Sequence, residues 1–143
     1  MVNPEKVAGL IEKLREYVLQ LNELKKLSKD ALIKQFTNVN SAKYLFQVAI
    51  ECCLDIGNHI ISSEGFRPPY DYKDIFKVLN ENKLIPDTFL ETATSMAKFR
   101  NRLVHLYWEV DADKVFYFLQ NNLRYFDEYI VYILDYITKH SSK

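Results

Sequence analysis

Turn formers are scarce in this chain. Its 143 residues hold three glycines and four prolines, too few to punctuate the many short strands of a sandwich or barrel. Long helices are the expected building block. Cysteine is nearly absent too, and Cys52 and Cys53 are adjacent inside an apolar run. Neighbours on a helix point to different faces and cannot easily bond to each other, so free thiols and a reducing, cytoplasmic setting are expected. No run of about 18 uninterrupted apolar residues occurs, which argues against a membrane-spanning helix. The opening "MVNPEKVAGL" lacks the basic-then-apolar layout of a secretory signal. Neither sign of charge is in excess: 19 basic residues balance 19 acidic ones. Any contact with a nucleic acid must therefore come from a local patch.

What is present is helical periodicity. The length suits one domain over residues 1–143 with one core. Val7, Leu10, Ile11, Leu14, Val18, Leu21 and Leu24 repeat at three- and four-residue steps, which predicts a helix from Pro4 to Leu27 with Asn3 as its cap. A short helix is expected in "KDALIKQF". The segment from Ser41 to Ser63 carries two apolar stripes, so a central helix is predicted. Its one polar stripe is Gln47, Glu51, Asp55, Asn58, His59 and Ser62. Gly65 and the pair Pro68-Pro69 end it. Further helices are predicted from Tyr72 to Asn82, from Pro86 or Asp87 onward, and from Asp111 or Ala112 to about Lys139. The expected architecture is all-α, an up-and-down antiparallel bundle of about five helices. Tyr125, Tyr129, Tyr132 and Tyr136 form a second stripe on the last helix. They read either as ordinary surface tyrosines beside a wide core face or as a dimer contact.

One stretch departs from this plain pattern. "KFRNRLVHLYWEVD" packs two arginines, an asparagine, a histidine, a tyrosine and the sole tryptophan into nine positions, Arg100 to Trp108. On a continuous helix Phe99, Leu103 and Leu106 share a face with Met96 and anchor the segment. Asn101 and His105 share another, flanked by Arg102 and Glu109. Arg100 and Tyr107 share a third. Arg100 and His105 lie about 140° apart, so in a straight helix they do not converge within one chain. A bend, a reaching Arg side chain or a second copy of the chain is needed to join them.

"RNRLVHLY" has the form Arg, four residues, His, one residue, Tyr, with Asn directly after the Arg. It resembles the signature of HEPN-domain proteins, specifically the HepT-like family. The likeness extends through "IECCLDIGNHII", a Pro-containing loop, "VLNENKLIP" and "MAKFRNRLVHLYWEVDADKVF", nearly the whole chain in the family's order. The resemblance implies a helical bundle that dimerises with its two motifs facing each other. It implies a metal-independent endoribonuclease toxin, with Arg100 and His105 catalytic, encoded beside a minimal nucleotidyltransferase that acts as antitoxin. It also implies that Tyr107 is the position to which such a partner transfers AMP. A non-catalytic subunit that presents a nucleotide or substrate to a nucleotidyltransferase is the alternative.

The chemistry suits those residue types. RNA carries its own nucleophile, the 2′-hydroxyl. Histidine does acid or base work near neutral pH, and arginine meets phosphate oxygens with a fork of donors. Asn101 and Arg102, with Glu51 and Asp55 on the central helix, are the expected supporting residues. No metal or other cofactor is required, and DNA, lacking the 2′-hydroxyl, is not an expected substrate. Glu51, Asp55 and His59, at four-residue steps, offer a competing metal-ligating reading. The cluster stands alone, without a matching Glu-x-x-His helix.

Overall fold

The computed structural model describes residues 2–140. Seven α-helices and one 3-10 turn are found among them: α1 (Pro4–Lys25), α2 (Lys29–Lys34), α3 (Phe36–Glu64), α4 (Tyr72–Glu81), α5 (Asp87–His105), the turn Tyr107–Glu109, α6 (Ala112–Asn121) and α7 (Arg124–His140). The fold class is all-α, as expected, with more elements than the five predicted.

Local sequence accounts for most boundaries. The Asn3 side chain accepts the backbone N–H groups of Glu5 and Lys6, satisfying donors that a helix start leaves orphaned. Ser28, Asp71 and Asp111 cap α2, α4 and α6 in the same way. Gly65 ends α3 in the left-handed region at φ 68°, which a residue without Cβ adopts freely. Two boundaries differ from expectation. α3 begins five residues early, at Phe36, because Gln35 is extended and closes α2 at Lys34. The predicted last helix is two. Asn121 turns its side-chain amide back onto the Tyr117 carbonyl at 2.8 Å, and the chain breaks at Asn122 and Leu123 before α7. Asparagines that compete with the backbone in this way favour helix ends.

α3 packs against every other helix, and α1 lies along it most extensively. α4 and α5 pack on each other and both on α3. Phe46 of α3 meets Phe99, Phe118 and Phe126 at ring separations of 5.7, 6.5 and 6.4 Å, tying α3 to α5, α6 and α7. Gly57 is where α3 is approached most closely. A Cβ there would sit 2.9 Å from Ile75 Cγ2, 3.0 Å from Leu79 Cδ1 and 3.2 Å from the Tyr129 hydroxyl. That hydroxyl donates to the Cys53 carbonyl at 2.8 Å.

The tyrosine stripe of α7 packs in part against its own protomer. Tyr129 is fully buried. Tyr125 and Tyr132 pack edge-on against Phe89. Tyr136 donates to Glu64 at 2.6 Å. Of the stripe, Tyr129 belongs to the core face, while Tyr125, Tyr132 and Tyr136 are half-buried with polar or aromatic partners in the same protomer. Among the described residues no helix is long and apolar enough to cross a membrane.

The loop joining α3 to α4 is pinned by Arg67. Its guanidinium makes two bonds to Asp74, at 2.7 and 2.9 Å, and two to Glu81, both 2.9 Å. The Arg67 fork holds the Asp74 carboxyl down at a pKa of about 2.

The close approach at Gly57 predicts that Gly57→Val lowers stability by about 1–3 kcal/mol, the usual cost of overpacking. Urea unfolding followed by circular dichroism measures it. An unchanged midpoint would mean that α4 shifts away without cost.

Candidate active site

The site is built where α5 passes α3. α5 remains helical through His105, and then Leu106 leaves the helix at φ −134°, ψ 43°. Its N–H still closes on the Arg102 carbonyl at 2.7 Å. Beyond it, Tyr107–Glu109 form the 3-10 turn. The motif is thus split between a helix carrying Arg100, Asn101, Arg102 and His105 and a turn carrying Tyr107.

Arg100 points back onto α3. Its Nε and one terminal nitrogen both donate to a single Glu51 carboxylate oxygen, at 3.0 and 2.8 Å. The other terminal nitrogen donates to Asn101 Oδ1 at 3.1 Å. The Tyr72 ring lies 4.5 Å from the guanidinium carbon. Three of the five N–H donors of an arginine are thereby used, leaving two. The side chain is only 13% exposed and Glu51 31%, so the pair is screened less than a surface ion pair. Gln47 also approaches Glu51, at 3.4 Å.

His105 is exposed on α5, and the hydrogen bonds of Arg100 go to Glu51 and Asn101 instead. α5 is helical without interruption between the two, so the helical-wheel separation applies to them. Arg102 is 3.9 Å from Glu109. Asp55, one turn beyond Glu51, faces solvent, and desolvation by the protein beside it, then the Glu51 charge, raise its carboxyl pKa.

Three expectations need correction. Leu106 is 37% exposed rather than a core anchor, because the helix ends before it. Tyr107 does not share a helical face with Arg100. Its hydroxyl donates to Asn40 Oδ1 at 2.7 Å, and Asn40 precedes Glu51 on α3 by eleven positions, about 16 Å of helix. The third concerns Glu51, Asp55 and His59. The His59 Nε2 accepts the Asn3 backbone N–H at 3.3 Å, while Glu51 is taken by Arg100. Burial, then the Lys6 and N-terminal charges, lower the His59 pKa. Among the described residues no group of three or more His, Cys, Asp or Glu side chains is placed to hold a metal ion.

Four residues of the site were not anticipated: Asn40, Lys43, Tyr72 and, as a contact of Glu51, Gln47. Lys43 is 7% exposed, the sole polar or charged residue in the core among those described. Its ammonium donates to the Tyr107 carbonyl at 3.0 Å and sits 4.2 Å from the centre of the Tyr107 ring. Burial lowers its pKa, with Asp111 opposing. Lys43 continues the polar stripe of α3 backwards by one turn from Gln47, a signal present within the predicted helix, whereas Asn40 lies just before its predicted start. Tyr72 carried no signal, since its contact depends on how α4 meets α5.

Comparison with known proteins gives this geometry a family. The family model for ribonuclease HepT-like proteins matches residues 9–133. The chain belongs to the HepT-like family. It is 32% identical over 97 residues to the mRNA nuclease HepT of Shewanella oneidensis, spanning 68% of this chain and 73% of that protein. It is 23% identical over 136 residues to the tRNA nuclease HepT of Aphanizomenon flos-aquae, spanning 95% and 92%. Among solved structures, the tri-AMPylated HEPN toxin of Shewanella oneidensis in complex with the MNT antitoxin superposes with a TM-score of 0.81 at 27% identity, over 90% of this chain and 96% of that one. In HepT-like terms, the motif arginine here is Arg100, the histidine His105 and the tyrosine Tyr107.

Lys43 ties the turn bearing Tyr107 to α3. Its replacement by alanine leaves the Tyr107 carbonyl without its partner, so Lys43→Ala is expected to cost about 1–3 kcal/mol. Thermal unfolding reads this, and an unchanged melting temperature would show that water replaces the ammonium without penalty.

Proposed function

We propose that this protein is the toxin of a HEPN toxin–antitoxin pair, an RNA endonuclease that works without metal, as a homodimer, and is silenced through Tyr107 by a nucleotidyltransferase antitoxin. The observation that carries the reading is the state of Arg100: a motif arginine, turned inward, oriented by Glu51, Asn101 and Tyr72, with two N–H donors left over. A guanidinium fixed on three sides has little orientational freedom to lose when it meets a phosphate. It supplies charge stabilisation where the crowded phosphate of the transition state needs it.

The remaining steps belong to RNA and to His105. The 2′-hydroxyl loses its proton and its oxygen attacks the adjacent phosphorus. The bond from phosphorus to the 5′-oxygen breaks, and that oxygen takes up a proton. The products are a 2′,3′-cyclic phosphate and a 5′-hydroxyl. His105, exposed on the last turn of α5, gives or takes one of these protons. Because Arg100 and His105 stand apart on one helix, a second copy of the chain is the simplest way to bring one of each to a single phosphate. This requirement supports the dimer.

Tyr107 suits a regulatory role for a different reason than a shared helical face. Its hydroxyl lies in an exposed hydrogen bond with Asn40, within reach of an external enzyme. Transfer of AMP from ATP makes a phosphodiester to the phenol oxygen, and releases pyrophosphate and the phenol proton. The added phosphate is negative and the adenosine bulky. Both would stand at the mouth of the dimer cleft and repel or obstruct an RNA strand.

Purified protein is expected to cut single-stranded RNA in the presence of EDTA. His105→Ala and Arg100→Ala should each lower the rate by at least about a hundredfold while circular dichroism stays helical. Cleavage that needs added divalent metal would sink the mechanism. Co-expression with the adjacent nucleotidyltransferase should add AMP mass to the peptide containing Tyr107. A partner that silences Tyr107→Phe as fully as wild type would rule out modification as the route.

A further inference from the structure

A chain with no net charge needs a local patch to hold RNA, and the active site itself supplies Arg100 already paired with Glu51. A basic groove lies on α4 and α5, the two helices that carry Tyr72 and Arg100. Between α4 and α5 a depression of about 390 Å³ is lined by Tyr70, Lys73 and Lys77 on one side and Leu90, Thr94 and Lys98 on the other. All three lysines are exposed, and none lies within ion-pairing distance of a carboxylate among the described residues. Two carboxylates also line the groove, Asp71 and Asp74, and both are engaged. Asp74 accepts two Arg67 nitrogens and the Tyr70 backbone N–H. Asp71 accepts the Asp74 N–H as the cap of α4.

Tyr70 gives the groove an aromatic wall. Its ring is 90% exposed, so it contributes little to the fold. Its backbone is nonetheless fixed through Asp74, and the Arg67 guanidinium stands 5.4 Å from the ring centre. An exposed ring on a pinned backbone is a platform on which a base can stack at small entropic cost. Lys73 and Lys77 are one helical turn apart, about 6 Å, a separation suited to successive phosphates of an unstacked strand. The link from groove to site runs through α4: Tyr72, two residues after Tyr70, is the ring that carries Arg100.

We infer that this groove is the track along which single-stranded RNA reaches the catalytic arginine, with Lys73, Lys77 and Lys98 on its phosphates and Tyr70 stacked on a base. The inference rests on the nuclease reading for its purpose, yet it is a statement about binding and is tested separately.

The test uses His105→Ala as the uncleaving background and a fluorescein-labelled single-stranded RNA of about ten nucleotides, within the span of common single-strand sites. Fluorescence anisotropy is measured across a range of salt. Adding Lys73→Glu and Lys77→Glu is expected to weaken binding roughly tenfold or more and to flatten the salt slope by about 0.7 for each phosphate that no longer meets a lysine. Adding Tyr70→Ser, at a position too exposed to unfold the chain, should weaken binding with the salt slope unchanged. A control carrying Lys25→Glu and Lys34→Glu removes the same charge from α1 and α2 and should bind as the background does. Equal weakening by the control and the groove variant would mean bulk charge alone, and the groove is then wrong. The groove is equally wrong if neither variant changes affinity, even where wild type cuts RNA and the nuclease reading stands. Groove-dependent binding by a protein that never cuts would uphold the track and overturn the nuclease.

Discussion

A helix with apolar residues on two stripes cannot rest on a surface; it has to be surrounded. α3 imposes that constraint here. Its buried residues run from Ala42 to Ile61, and each of the other six helices packs against it. A polar strip runs along α3 from Asn40 through Lys43, Gln47 and Glu51 to Asp55. That strip is where α5 delivers Arg100 and where the following turn delivers Tyr107. The candidate site lies along that strip.

Close approach at Gly57 makes the enclosure tight. Glycine in a helix interior costs about 0.5–1 kcal/mol relative to alanine. The return is contact with Ile75, Leu79 and the Tyr129 hydroxyl at distances a side chain would forbid. α4, brought in at that point, places Tyr72 beside Arg100. Packing in the core and orientation of Arg100 are thus mechanically connected through one short helix. The Arg67 fork grips that helix from outside at both Asp74 and Glu81.

Much of this architecture is legible in the sequence. Periodicity locates α1, α4 and α5 to within two residues or so at most ends, and the doubled stripe identifies α3 as central. Arg100, Asn101, Glu51 and their neighbourhood follow from the motif and the polar stripe. The failures share one cause. A helical wheel presumes that the helix continues, and at Leu106 it does not. The wheel therefore assigns Tyr107 to the wrong face and Leu106 to the core. The tyrosines of α7 escape sequence reasoning for a related cause. Periodicity shows that Tyr125, Tyr129, Tyr132 and Tyr136 fall on particular faces, but whether those faces meet Phe89, Cys53 and Glu64 or solvent is decided by elements distant in sequence.

The break at Leu106 has a mechanical consequence. Strain applied within a continuous helix is passed from turn to turn by its hydrogen bonds. Here the ladder stops one residue after His105, and the turn bearing Tyr107 is moored instead to α3 through Lys43 and Asn40. A load on Tyr107 is carried into the core by that mooring and bypasses the arginine clamp. The two halves of one short motif are therefore held by different anchors on α3, Arg100 by Glu51 and Tyr107 by Lys43 and Asn40.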